Sequence, residues 1–221
     1  TTVSLSATPT VAEEGTITYT ATLTNAAEGS VTVTLDSGAV ITIADGDTTG
    51  TTTVTAGDDV YTGGGTASDF IASATGGNFE SLSVDGTAAS TTLTDDGDVT
   101  TATLTVDQGT IDEDGATLRY TVTVDNVSQG VSSFNLSNGA TVTIADGETS
   151  GFVDVPVSAD SDVYEESDST IDVSITGSTS NFESLDTTSD VSTTVTDSVD
   201  TTSLSITGPA NVNEGTVTGD Y

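Results

Sequence analysis

The chain of 221 residues has no cysteine, no histidine, no methionine and no tryptophan, and its 35 acidic side chains are opposed by a single base, Arg119. Each absence closes a class of function. Without cysteine there are no disulfides and no thiolate zinc sites. Without histidine most nucleophile–base pairs are gone as well, and the close acids look like ligands rather than a catalytic pair, so an enzyme is not expected. A formal charge of −34 excludes nucleic acid as a partner, because phosphate binding needs lysine and arginine to displace counterions. An anionic membrane surface is excluded on the same ground. No apolar run approaches the roughly 20 residues that span a bilayer, so direct membrane insertion is not expected, and no signal peptide is visible. The hydrophobic fraction is only 33% and aromatics are few, a composition that by itself would suit a disordered chain.

The pattern argues for a folded one. Ile17, Tyr19, Ala21 and Leu23 alternate with Thr16, Thr18, Thr20, Thr22 and Thr24, and Leu118, Tyr120, Val122 and Val124 do the same further on. Period two with a threonine-rich outer face marks a half-buried antiparallel strand. Threonine suits the exposed side because its branched Cβ favours extended backbone while its hydroxyl stays wet. Turn signals separate such runs, among them Ser37-Gly38, Asn138-Gly139, Asp45-Gly46 and Asp146-Gly147. Strands are predicted near 2–8, 16–24, 30–36, 39–44, 49–56, 66–75 and 88–94. Seven short strands in about 100 residues without helical periodicity predict an all-β immunoglobulin-like β-sandwich.

The sequence then repeats. Ile43-Ala44-Asp45-Gly46 returns as Ile144-Ala145-Asp146-Gly147, Asp59-Val60-Tyr61 as Asp162-Val163-Tyr164, and Asn78-Phe79-Glu80-Ser81-Leu82 as Asn181-Phe182-Glu183-Ser184-Leu185. Gly15, Gly115 and Gly215, each after an acid, open copies one, two and three. A period near one hundred suits a complete domain rather than a solenoid unit. The expected division is tandem sandwiches at 1–97 and 98–199 joined by short acidic linkers, with 200–221 the truncated start of a third.

Strand counting places the acids. If the strands run up and down, the segments Ala12 to Gly15, Ser37-Gly38, Gly57 to Gly65 and the exit Asp95-Asp96-Gly97-Asp98 gather at the end facing the next domain. That brings together Glu13, Glu14, Asp58, Asp59, Asp95, Asp96 and Asp98. Copy two repeats the arrangement with Glu113, Asp114, Asp160, Asp162, Asp197 and Asp200, and copy three begins it with Glu214. Converging carboxylates without a lysine or arginine repel strongly, and more so in a partly dry site. A hard divalent cation resolves the repulsion. Calcium accepts six to eight oxygen ligands, whereas magnesium keeps its waters and softer metals recruit histidine or cysteine. Ca2+ is therefore the expected ion, and solvated acidic loops without metal are the competing explanation.

Other residues have plainer readings. Tyr61 and Tyr164 are expected to anchor loops to the sandwich edge, Phe79 and Phe182 to plug the core beneath their loops, and Arg119 to make a surface ion pair. Asp45, Asp47, Asp146 and Glu148 either complete the junction across the linker or cap turns. Threonine ladders such as Thr51-Thr52-Thr53 suggest an ice-binding array less than ordinary sandwich strands, since the short regular coil repeat is missing.

The Glu-Gly that opens the second strand, Thr-Ile-Thr-Tyr-Thr-Ala-Thr-Leu-Thr at 16–24, Asp-Asp-Val-Tyr at 58–61 and Gly-Asn-Phe-Glu at 77–80 resemble the calcium-dependent immunoglobulin-like extender repeats of giant bacterial RTX adhesins, of the ice-binding and biofilm type. The resemblance implies calcium at and near interdomain linkers, and neighbouring repeats of the same chain as partners. It further implies a monomeric rod that projects a ligand-binding region from the bacterial cell surface after type I secretion. The rival is an adhesin domain that itself grips sugar, peptide or ice, which the scarcity of aromatics disfavours.

Overall fold

A computed structural model of the chain describes residues 1–160 and 162–208. Among these residues every regular element is a strand. No helix is long and apolar enough to cross a membrane.

The strands form two sandwiches in succession. In the first, one sheet runs in the spatial order Thr49–Thr55, Thr16–Leu23, Thr2–Ala7, Ser83–Val84. The opposing layer holds Thr10–Ala12, Ala89–Thr94 and Thr66–Asp69, and beyond a break at Phe70 it continues as Ile71–Gly76, Val31–Leu35 and Val40–Ile43. The second sandwich repeats this with Ser150–Val157, Ala116–Val124, Val99–Val106 and Ser184–Asp186 facing a single five-stranded sheet. That sheet contains Thr110–Asp112, Asp190–Thr196, Ser169–Thr179, Ser132–Leu136 and Thr141–Ile144.

The alternation read from the sequence sets which side chains enter the core. Ile17, Tyr19, Ala21 and Leu23 pack with Val3, Val31, Val33, Ile41 and Ile43. Leu118, Tyr120, Val122 and Val124 pack with Phe134, Val142, Ile144 and Phe182. Phe79 lies half-buried against the first core, so both phenylalanines act as plugs. The two clusters are rich in valine, isoleucine and leucine, and each such side chain when fully buried contributes about 1.5–3 kcal/mol.

Three details depart from the sequence reading. Thr10–Ala12 and Ser83–Val84 are strands too short to carry a visible alternation, and both pair in parallel, with Ala89–Thr94 and Thr2–Ala7 respectively. Between Thr2–Ala7 and Thr10–Ala12 the chain crosses from one sheet to the other at Pro9, which has no N–H to donate to either ladder. The predicted strand 66–75 is broken because Asp69 is buried. Its Oδ1 accepts the backbone N–H groups of Phe70 (2.8 Å), Asp36 (3.1 Å) and Ser37 (3.3 Å), and its Oδ2 accepts the Ser37 hydroxyl (2.6 Å). The Ser37-Gly38 hairpin is thus held by Asp69.

Arg119 makes its ion pair as a fork. Nε lies 2.8 Å from Asp154 Oδ1 and an Nη 2.9 Å from Oδ2, with the guanidinium 4.0 Å above the Phe152 ring. The sole cationic side chain is therefore committed to the outer face of the second sandwich.

Candidate metal centre at the junction of the sandwiches

Three loops of the first sandwich close around its far end. The Glu13 N–H donates to Thr94 O (2.9 Å), and the Asp59 N–H to Glu13 Oε2 (3.3 Å). The Gly63 N–H donates to both oxygens of Asp95, at 3.2 and 3.1 Å. These bonds tie the segments at 13, 59–63 and 94–95 together although they are distant in sequence. Glu14 completes the first loop at φ +54°, a conformation few side-chain-bearing residues adopt.

Within this cage, oxygens of Glu13, Asp58 and Asp96 all lie within 4.8 Å of one another. Glu13 is only 6% exposed. The Asp59 N–H lowers the pKa of its carboxyl, but burial and the charges of Asp59, Glu183 and Asp95 outweigh that bond and leave it above the ordinary value. Asp58 is also raised, first by loss of water and then by Asp98, Glu14, Asp96 and Glu183.

The other acids expected here divide their roles. Asp59 accepts the Tyr61 N–H at 2.8 Å and Asp95 accepts Gly63, so both shape loops. Glu14 and Asp98 act on the site through their charge on Asp58.

Glu183 was not among the expected ligands. It belongs to the second sandwich, and its Oε2 accepts the N–H groups of Gly97 (2.7 Å) and Asp98 (2.8 Å), clamping the linker. Its Oε1 is buried without a hydrogen-bond partner. The repeated Asn-Phe-Glu-Ser-Leu motif carried the signal, but the acid in it lies at the opposite end of its own domain, where strand counting within one copy does not look. Asp45 and Asp146, candidates for that crossing, cap turns instead by accepting the N–H groups of Gly29 (2.7 Å) and Gly130 (2.8 Å). Asp47 and Glu148 serve the same turns through their backbone carbonyls, which accept from Ala27 and Ser128.

A seam between the two sandwiches lies next to Asp59 and Glu183 in the chain. Tyr61 and Phe182 form an antiparallel bridge flanked by Thr62 N–H to Asn181 O (2.7 Å) and Glu183 N–H to Val60 O (3.0 Å). Their rings stack at 5.7 Å, and the Tyr61 hydroxyl donates to Val127 O at 2.7 Å. Tyr61 therefore anchors its loop to the following sandwich rather than to its own.

The second sandwich ends in a similar cluster. Glu113, 7% exposed, accepts the N–H (3.3 Å) and hydroxyl (2.9 Å) of Ser198. Asp112, Glu113, Asp160, Glu166 and Asp197 line one cleft of about 130 Å³, and Asp197 Oδ1 is buried without a partner. Asp162 caps Tyr164 at 2.7 Å, repeating Asp59 and Tyr61. The charges of Asp162 and Asp160 raise Glu166, helped by burial, Glu113 and Asp197. Glu166 falls where copy one has glycine, so an argument from recurrence passes over it. Asp200 borders a separate groove with Tyr164 and Asp197. Among the described residues Asp114 makes no side-chain hydrogen bond, and Glu214 lies outside the described residues.

The donor set fits a hard cation. All candidate ligands are carboxylate oxygens, and calcium–oxygen distances of about 2.3–2.6 Å place ligands on opposite sides of an ion about 4.6–5.2 Å apart, so the oxygens of Glu13, Asp58 and Asp96, all within 4.8 Å of one another, can share one ion. Glu183, whose charge reaches Glu13 and Asp58, adds a buried oxygen that no side chain or backbone group satisfies.

The profile of a family described as the LapA domain matches residues 1–96 and again 98–198. No curated protein matches the chain. Among solved structures, the chain is similar to CBD12 from CALX1.2, at 12% identity and TM-score 0.36, covering 88% of this chain and 100% of that one. A calcium binding domain CBD12 of CALX1.1 gives 9% identity and TM-score 0.35, with 88% and 99% covered. A tetra-tandem repeat in the extending region of a large adhesion protein gives 17% identity and TM-score 0.34 over 87% of this chain. The chain spans about half of that last structure, 47% of its length.

Proposed function

The chain belongs to the LapA domain family, a bacterial adhesin family, and from that premise we propose that it is an extender module of a cell-surface adhesin, rigidified by Ca2+ at and beside the junction between its sandwiches. Its role is structural rather than catalytic. The observation that carries the reading is a cluster of carboxylates at the junction: oxygens of Glu13, Asp58 and Asp96 of the first sandwich lie within 4.8 Å of one another, and the charge of Glu183 of the second reaches Glu13 and Asp58.

In this reading the ion takes ligands from both sides of the linker. It offsets the burial and the repulsion that raise Glu13 and Asp58, and it fixes the seam made by Tyr61 and Phe182. A second ion belongs in the cleft of Glu113, Asp160, Glu166 and Asp197. Calcium sites outside cells bind typically at about 10⁻⁴–10⁻³ M. At free calcium about 10–100 times the dissociation constant, each site adds roughly 1.5–3 kcal/mol to the folded state, a large share of the about 5–15 kcal/mol of a typical domain. The domain division of this proposal is 1–97 and 98–199, with 200–221 opening a third repeat, and its setting is outside the bacterial cell.

The test is thermal unfolding with small-angle scattering, in millimolar calcium and in excess chelator. The expected result is a higher melting temperature and a stiffer, longer particle with calcium. Identical melting and identical scattering in the two conditions would overturn the proposal.

A further inference from the structure

Two long strands of the chain are hydrogen-bonded on one side only, Thr49–Thr55 at the edge of the first sandwich and Ser150–Val157 at the edge of the second. Their ladders decide which backbone groups are left over. The Leu23 N–H donates to Thr48 O (2.8 Å) and the Ala56 N–H to Gly15 O (2.8 Å), in the register that sets Thr52 opposite Tyr19. Bonded and non-bonded pairs alternate along an antiparallel ladder, so Gly50, Thr52 and Val54 direct their groups at Thr16–Leu23. The N–H and C=O of Thr49, Thr51, Thr53 and Thr55 point the other way, off the edge of the sheet. Among the described residues these groups make no further hydrogen bond.

In the second sandwich the same positions are Ser150, Phe152, Asp154 and Pro156, since there the Val124 N–H donates to Thr149 O at 2.8 Å. That edge is guarded. Pro156 has no N–H to offer a further strand. Asp154 is held in the Arg119 fork, whose guanidinium lies over Phe152. The first edge has none of these devices. From Thr48 to Gly57 it carries no charge, no proline and no aromatic ring, which leaves a sheet edge open to strand addition.

The surrounding charge selects the occupant. Asp45 and Asp47 precede the bare strand, Asp58 and Asp59 follow it, and the one basic side chain is committed to Asp154. A second copy set antiparallel along this edge, Thr51 against Thr53, would bring Asp47 of each chain beside Asp58 of the other, like charges at both ends. An extended segment with lysine or arginine at both ends and uncharged β-branched residues between them meets opposite charges instead. We propose that Thr49–Thr55 is a strand-addition site for such a basic-ended peptide segment, bound through the free groups of Thr49, Thr51, Thr53 and Thr55. The main-chain ladder supplies the affinity, and the flanking acids choose the partner.

The probe is the peptide Lys-Lys-Thr-Val-Thr-Val-Thr-Val-Thr-Lys-Lys, titrated into the full chain in millimolar calcium and followed by fluorescence anisotropy and residue-resolved amide hydrogen exchange. In the free chain the amides of Thr51, Thr53 and Thr55 exchange fast, while those of Thr52 and Val54 are protected by the ladder to Thr16–Leu23. Saturating peptide should slow the first three by about tenfold or more. Thr55→Pro gives the first edge the residue that the second carries at Pro156 in the same register, so the fold accommodates it. It removes one ladder donor and should weaken peptide binding about tenfold. The same peptide with glutamate in place of lysine should not bind. Equal affinity for wild type and Thr55→Pro, with no slowing at Thr51 and Thr53, would reduce the effect to charge attraction and overturn the site. A dimer formed without peptide and dissolved by Thr55→Pro would overturn the peptide as occupant in favour of a second copy.

Discussion

Replacing Glu183 with glutamine separates a bridging cation from mere acidic crowding, because the two predict opposite signs. The carboxylate has two occupations. Oε2 holds the linker through Gly97 and Asp98, and a glutamine carbonyl can accept the same N–H groups. Oε1 is buried with no partner of its own, and the charge of the carboxylate raises Glu13 and Asp58; an amide there adds a donor and removes that charge. In chelator, Glu183→Gln therefore relieves repulsion and leaves the melting temperature unchanged or higher. In calcium it deletes a ligand. If the wild-type site is about 100-fold saturated it adds about 2.7 kcal/mol, and a hundredfold loss of affinity leaves about 0.4 kcal/mol. The calcium increment falls by about 2.3 kcal/mol, which for a chain of this size lowers the calcium-dependent shift by roughly 5–9 °C. Calorimetry of both proteins with and without calcium measures it, and the difference isolates the junction from the Glu113 cluster. Equal calcium increments in the two proteins would show that Glu183 is no ligand and refute the bridge.

Three further outcomes are expected. Tyr61→Ala loses the stack on Phe182 and the bond to Val127, about 0.5–1.5 kcal/mol each, and a double-mutant cycle with Phe182→Ala should recover that coupling across the seam; a coupling of zero would mean that the sandwiches are not fastened there. The metal-stripped protein should become more stable as pH is lowered from neutral toward 4.5. Glu13, Asp58 and Glu166 are held above their ordinary values in the fold, so their contribution is present below the unfolded value and lost as pH rises through the folded one. Asp85 and Asp186 are lowered by hydrogen bonds from Thr87 and Thr188, and they act oppositely, losing their contribution below 3.8; a metal-free melting temperature that falls steadily from neutral pH would contradict this order. Gly151→Ala drives a Cβ into the Thr143 carbonyl oxygen and should cost about 1–3 kcal/mol in urea unfolding. Gly57→Ala, which meets open space, should cost far less.

The repeat and the alternation of Val, Ile and Tyr with threonine were enough to determine two sandwiches in series and the side chains that fill them. Alternation has a period of two, so inward and outward residues follow once a strand exists. Strand counting also led to the expectation that the segments of Glu13, Asp58 and Asp96 gather at one end, because loops at one end of a sandwich converge whatever their separation in the chain, and in the fold these three carboxylates lie together. Only tertiary structure decided which acids cap loops and which face the shared space. Asp59 and Asp95 differ from Asp58 and Asp96 by one residue, and it is the local turn that points each carboxylate at an N–H or away from it. Glu183 and the Tyr61–Phe182 seam were beyond a reading of single domains. They arise where the end of one sandwich meets the beginning of the next, and a sequence pattern records the faces of a strand but not which end of a neighbouring domain is pressed against it.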